Sequence, residues 1–222
     1  MIHRARGSFD STPPFFSPYV AFANVLENLE TEFYKQGLSK FQSSDFGNAG
    51  FTSPDGAIEE ITIIQSDEST HATALEVSIH LLFFLLRFFS FLTIHGPQDL
   101  IVSFGGKPLA GCSFDFSTVL VDVPTMISSS RLIEHVGIGA YLGAANLIGD
   151  PRVLTAAATI VTVESRHGTL LNIFEGATPI SAPFDIALAP SEVLAIAGGF
   201  ISGCDLGIPG TLPQHYYFSP WS

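Results

Sequence analysis

Positive charge is scarce in this chain. Only 9 Lys+Arg stand against 21 Asp+Glu in 222 residues, a formal net charge of -12. Nucleic acid is held by clustered cations that neutralise phosphates, so it is excluded as a partner. The acidic balance suits metal cations only loosely, because solubility alone favours acidic surfaces. Cysteine is scarce too. Cys112 and Cys204 form no C-x-x-C pair, which excludes a disulfide-rich scaffold and a zinc ribbon. One disulfide or two buried thiols both remain open. No signal peptide is expected, because the basic start Met1–Arg6 runs into the polar, proline-bearing stretch 7–14 where an apolar run should follow. The compartment stays open. A membrane span is also short of material. The most apolar run, Leu81–Leu92, falls below the roughly 20 residues a span needs, holds Arg87, and is closed by His95-Gly96-Pro97.

What the chain does have is apolar material, 46% of its residues, enough for a sizeable core. Residues 1–18 read as an irregular N-terminal segment. From Tyr19 the apolar positions Val20, Ala23, Val25, Leu26, Leu29, Phe33 and Tyr34 recur at helical spacing, and Gly37 is the expected stop. Residues 42–56 read as a loop. A second helix is expected from Pro54-Asp55 through Ile58, Ile61, Ile64, His71 and Leu75. A third is expected from about Ser117 to Leu147, with Pro124 near its start or kinking it. Gly149-Asp150-Pro151 reads as a stop, cap and first-turn proline, and a fourth helix runs from Pro151 to about Phe174. After an extended proline-bearing connector, Ser191 is the expected cap of a short apolar segment, Glu192 to Ile201. Residues 207–222 read as an irregular tail.

The chemistry lies in a doubled motif. Glu-x-x-His occurs at Glu68–His71 and again at Glu164–His167. On a helix, positions i and i+3 share a face, so both side chains of each motif can point inward together. The upstream helices repeat as well. Val25-Leu26-Glu27 aligns with Leu132-Ile133-Glu134, and Tyr34 aligns with Tyr141, two helical turns beyond each glutamate. The repeat selects Glu27 over Glu30, because Glu30 aligns with Gly137. The resulting set, Glu27, Glu68, His71, Glu134, Glu164 and His167, is the ligand inventory of a carboxylate-bridged two-metal site in a four-helix bundle. Oxygen and imidazole donors without thiolate suit two ions of iron or manganese. Glu68 and Glu164 would bridge, Glu27 and Glu134 would each close one position, and one histidine would complete each. Two copies of the motif arise by chance in roughly one chain in twenty, and the paired upstream glutamate and tyrosine lower that. The competing reading is a bundle whose buried Glu and His only hydrogen-bond one another. His135 is expected to face about 100° away from Glu134, outside the set. Tyr34 and Tyr141 read as core aromatics that donate a hydrogen bond. Gly137, Gly139 and Gly143 read as sites of close helix packing, and Glu59-Glu60 as exposed first-turn charge.

Residues 77–104 disturb this pattern, since the run Leu81–Leu92 within them is apolar nearly all round. Besides a membrane span, they read as a buried extension of the second helix or as translated intron. The intron reading is preferred. Val77-Ser78 after Glu76 is what read-through of a common splice donor encodes, and Phe, Leu and Ser runs are what pyrimidine-rich DNA encodes. Removing the stretch restores a connection of ordinary length. A functional protein whose message retains these codons would sink that reading.

Leu26-Glu27-Asn28-Leu29-Glu30 with Phe33-Tyr34, then Asp67-Glu68-Ser69-Thr70-His71, Ile133-Glu134-His135 and Glu164-Ser165-Arg166-His167, resemble the ferritin-like family of fungal stress-response and plant desiccation-related proteins. The resemblance covers about residues 20–76 and 105–207. It implies an all-α fold: a ferritin-like four-helix bundle over 19–206, with one long crossover between the second and third helices and a short C-terminal helix. Members of that family often carry a signal peptide and are secreted or cell-wall associated. The resemblance implies metal oxidation or storage, or peroxide handling, at a two-ion site. The alternative is a non-catalytic structural or cell-surface stress protein that keeps the bundle without turnover. Metal ions are the expected partners, and storage would further require an oligomeric cage.

Overall fold

The computed structural model describes residues 18–76, 111–149, 151–180 and 182–206. The apolar stretch 77–104, the N-terminal segment up to residue 17 and the tail 207–222 lie outside the described residues, as does Asp150.

Four long helices dominate. Helix α1 spans Pro18–Lys40, a short α2 spans Ser43–Asn48, and α3 spans Pro54–Glu76. After a two-residue strand β1, Ser113–Phe114, come α4, Val123–Ala144, and α5, Pro151–Phe174. A short α6, Pro190–Ala197, and a strand β2, Ile201–Ser202, close the described chain. The all-α expectation holds, with β1 and β2 as a minimal antiparallel pair. No described helix is long and apolar enough to cross a membrane.

Local chemistry sets the boundaries. Helix α4 starts at Val123, six residues later than the pattern suggests. Asp122 has an extended backbone and accepts a hydrogen bond from Thr125 N at 2.8 Å, with a proline in the first turn. Such a cap contributes about 1 kcal/mol. Ser117, the expected start, instead donates its backbone N–H to Asp115 Oδ1 within a turn. Helix α4 ends at Ala144, and residues 145–147 tighten into a single 3-10 turn. Helix α5 keeps its expected bounds. In α6 the cap differs: Glu192, not Ser191, reaches back to accept from Ala189 N at 2.7 Å. The expected apolar segment to Ile201 divides into this helix, a 3-10 turn over 198–200, and β2.

Gly37 does not stop α1, which continues to Lys40. A side chain at Gly37 would put its Cβ 2.5 Å from Met126 Cε. The glycine therefore lets α1 and α4 approach each other. The loop expected over 42–56 contains α2, which buries Phe46 completely.

Short connections join α1 to α3 and α4 to α5, which makes each pair antiparallel neighbours. Within the first pair, the buried Asn24 donates to Ala72 O at 2.9 Å, fixing the α1–α3 register beside His71. The core runs between the pairs: Leu26, Leu29 and Phe33 from α1, Ile61 and Ile64 from α3, Met126 and Ile133 from α4. Phe33 meets Phe116 edge to face, with centroids 5.2 Å apart. Gly139 and Gly143 serve a different neighbour from the one expected. The extended connector lies on them, with Leu188 N donating to Gly139 O at 2.9 Å. The cysteine alternatives resolve into a disulfide, Cys112–Cys204, which fastens the ends of the β1–β2 pair.

Candidate metal centre

The six residues singled out by the repeat converge at the middle of the bundle. All are buried, with Glu68, Glu134 and Glu164 at 0% exposure and His71 the most open at 8%. They fall into two overlapping groups. Glu27, Glu68, His71 and Glu164 form one, and Glu68, Glu134, Glu164 and His167 the other. Within each group, one potential ligand atom per residue lies within 4.8 Å of all the others. Glu68 and Glu164 belong to both groups.

The helix geometry explains the convergence. Each Glu-x-x-His motif lies inside one uninterrupted helix, α3 or α5, so its two side chains share a face. The upstream glutamates come from α1 and α4. The repeat then crosses over: Tyr34 of α1 donates to Glu134 Oε1 of α4 at 2.5 Å, and Tyr141 of α4 donates to Glu27 Oε1 of α1. Each tyrosine orients the glutamate of the other half.

Hydrogen bonding does not satisfy this cluster. His71 Nδ1 faces three carboxylate oxygens, Glu164 Oε1 at 2.9 Å, Glu68 Oε2 at 3.0 Å and Glu27 Oε2 at 3.3 Å. One ring nitrogen carries at most one proton, and it is aligned with Glu68. His167 Nδ1 lies 2.7 Å from Glu68 Oε1, but the ring N–H is not aimed at that oxygen, so the two approach without a hydrogen bond. Glu27 Oε2, Glu68 Oε1, Glu134 Oε2, both oxygens of Glu164 and His167 Nδ1 are all buried without a hydrogen-bond partner. Orphaned lone pairs of this kind cost about 1–3 kcal/mol each, more when charged. Their concentration around two overlapping centres fits cations rather than a closed polar network.

Electrostatics follow from the crowding. Burial, opposed by the nearby His71 and reinforced by the Glu68 charge, pushes Glu27 up to about 8. Burial and the neighbouring carboxylates push Glu164 well up, and burial with the charge of Glu68 raises Glu134. Burial acts against ionised Glu68, but His167 and His71 outweigh it and hold this carboxyl at about 2. Burial likewise opposes the charged imidazoles. The carboxylates around them prevail and push His71 up to about 12 and His167 to about 10. Without metal, the imidazoles of His167 and His71 favour the ionised form of Glu68, while burial and crowding favour the protonated forms of Glu27, Glu134 and Glu164.

The structure adds a residue that the repeat passed over. Glu30 is buried at 2% exposure. A Cβ at Gly137 would stand 3.0 Å from Glu30 Oε1 and 3.8 Å from Glu164 Oε2, so the missing side chain makes room for this carboxyl beside the cluster. Burial and the charges of Glu164, Glu68, Glu27 and Glu134 push Glu30 well above the ordinary range. The signal was present in the sequence, since Glu30 stands three residues from Glu27 on the same helical face. Its alignment with glycine marked a cavity being filled, not an unimportant position. His135 lies outside both groups, half-buried, with Nδ1 2.7 Å from Arg131 O. A cleft of about 530 Å³ opens between α3 and α5 and exposes the outer edges of His71 and His167. Glu60, Asp67, Val163 and Arg166 also line it.

The sequence model of the ferritin-like domain matches residues 18–80 and 98–176, more than half the chain. The chain belongs to the ferritin-like domain family. The match covers all four long helices of this ferritin-like domain and breaks between residues 80 and 98, within the apolar stretch. Comparison with curated proteins gives no match. The buried carboxylate and histidine cluster of this ferritin-like domain could hold metal ions.

Proposed function

We propose that this protein is a two-metal ferritin-like protein that oxidises or stores metal, or handles peroxide, at a carboxylate-bridged di-iron or di-manganese site. Glu68 and Glu164 would hold both ions, and Glu27 with His71, and Glu134 with His167, would complete the two positions. The orphaned lone pairs of the cluster carry this reading, because six buried donor atoms converge where no hydrogen bond satisfies them. Charge supports it: four carboxylates balance two divalent ions, so the filled site is neutral in a low-dielectric interior. Bound iron or manganese would supply one-electron redox chemistry toward dioxygen or peroxide. The chain's own part is to orient and to exclude water. Tyr34 and Tyr141 hold the two terminal glutamates, and the apolar core of α1 and α4 seals the side away from the cleft.

Metal analysis tests the reading. Reconstituted protein should hold two iron or manganese ions per chain, and Glu68→Ala or His167→Ala should lower that number. Less than about one ion per chain, unchanged in both variants, would remove the proposal. Ferrous oxidation and peroxide consumption assays on the loaded protein then separate an oxidase from an inert binder. The motif resemblance to stress-response and desiccation-related proteins supports a protective role. The Cys112–Cys204 disulfide supports maturation in an oxidising compartment, as for the secreted members of that group.

A further inference from the structure

The doubled motif is not symmetric in its surroundings. The first copy reads Asp67-Glu68-x-x-His71 and the second Val163-Glu164-x-x-His167. Asp67 does not serve the histidine of its own motif. Its Oδ2 lies 3.2 Å from Nε2 of His167, across the cleft on α5. His167 Nδ1 faces Glu68 and Glu134, so the ring is gripped from behind while its other nitrogen addresses the cluster. The matching position, Val163, lines the same cleft but has no oxygen to offer. Among the described residues, no carboxylate is seen to bond Nε2 of His71, whose contacts with carboxylates are all made through Nδ1.

We propose that Asp67 is a positioning residue for His167 and makes the two metal positions unequal, the one built on Glu134 and His167 filling first and more tightly. This rests on the two-metal reading above. A histidine that donates its outer N–H to a carboxylate has its ring orientation fixed and its ligating nitrogen made more basic, and losing that partner typically weakens metal binding 10–100-fold. Asp67 confers this on one position, and Val163 withholds it from the other. The half-exposed carboxylate also gives the tighter position a charged lip at the mouth of the cleft.

The test is a titration of the metal-free full chain with manganese(II), followed by calorimetry. Wild type should show two resolved steps. Asp67→Ala should weaken the tighter step about 10–100-fold and leave the weaker one within a factor of about 3. Asp67→Asn keeps an acceptor oxygen and should restore part of the loss, which a merely structural role would not predict. Val163→Asp should tighten the weaker step. In the metal-free protein, a slowly exchanging imidazole N–H resonance assigned to His167 Nε2 should vanish in Asp67→Ala, while those of His71 persist. Two equal steps in wild type, or equal weakening of both by Asp67→Ala, would overturn the proposal and leave the two-metal reading standing. A wild-type chain that takes up no metal would overturn both, and the resonance would still report whether Asp67 holds the ring.

Discussion

Glu68 and the two histidines around it titrate in opposite directions, and the difference sets how the metal-free protein responds to pH. His71 and His167 have folded values near 12 and 10, above the ordinary 6.5. Their stabilisation is complete below the unfolded value and is lost as pH rises through 10 and then 12. Glu27, raised to about 8, adds a loss beginning at its ordinary 4.5, as its buried carboxyl is forced to ionise. Glu68, held at about 2, contributes above 4.5 and fails only as pH falls toward 2. In the presence of a chelator, the melting temperature should peak at about pH 4–5 and decline steadily toward pH 10. Metal uptake should run the other way, because ions displace protons from the same groups and binding tightens as pH rises. A melting temperature flat from about pH 5 to 9 would contradict this assignment of charges. At this scale the sequence was highly legible. The i, i+3 spacing of Glu68–His71 and Glu164–His167 determines a shared helical face whatever the tertiary context. Glu30 was not legible, because its burial depends on what α4 lacks at Gly137.

Helix pairs carry the next level. The crossed bonds Tyr34–Glu134 and Tyr141–Glu27 tie α1 to α4 through the middle of the bundle. Tyr34→Phe removes the donor and leaves Glu134 Oε1 buried without a partner, at a cost of about 1–3 kcal/mol in the metal-free protein. Thermal or denaturant unfolding should show that loss, and Tyr141→Phe should show a similar one. The double variant should depart from the sum, since the two bonds end on glutamates of one cluster that share Glu68 and Glu164 as neighbours. Substantially smaller losses after metal loading would show that metal binding compensates for the missing donor. The tyrosines' role as hydrogen-bond donors was readable from their type and depth, but not their partner. Two helical turns place Tyr34 on the face of Glu27, yet the hydroxyl extends beyond its own helix and reaches the opposite repeat. The boundaries that shifted have equally local causes. Gly37 resembles a stop in composition but is a contact with Met126, and Asp122 caps α4 because its side chain reaches Thr125 N while Ser117 is engaged in a turn.

Across the whole molecule, the Cys112–Cys204 bond closes a loop that contains all of α4, α5 and α6, with the cysteines 92 residues apart. A loop of that length contributes about 4–5 kcal/mol in the chain-entropy account. Reduction, or Cys112→Ser with Cys204→Ser, should lower stability by about 2–5 kcal/mol with metal stoichiometry unchanged, because neither cysteine belongs to the clustered residues of α1, α3, α4 and α5. Intact mass under non-reducing conditions, two hydrogens lighter than the reduced chain, checks the bond in protein from its native source. The all-α fold, the four long helices and the six clustered residues were determined by the sequence alone, because helical periodicity and the i, i+3 rule act within a single element. Only the tertiary structure decided what requires two elements at once: the pairing of the cysteines, the crossing of the tyrosines, the burial of Glu30 opposite Gly137, and the reach of Asp67 to the histidine of the other motif. Each depends on distances between elements far apart in the chain, and no spacing along one element encodes them.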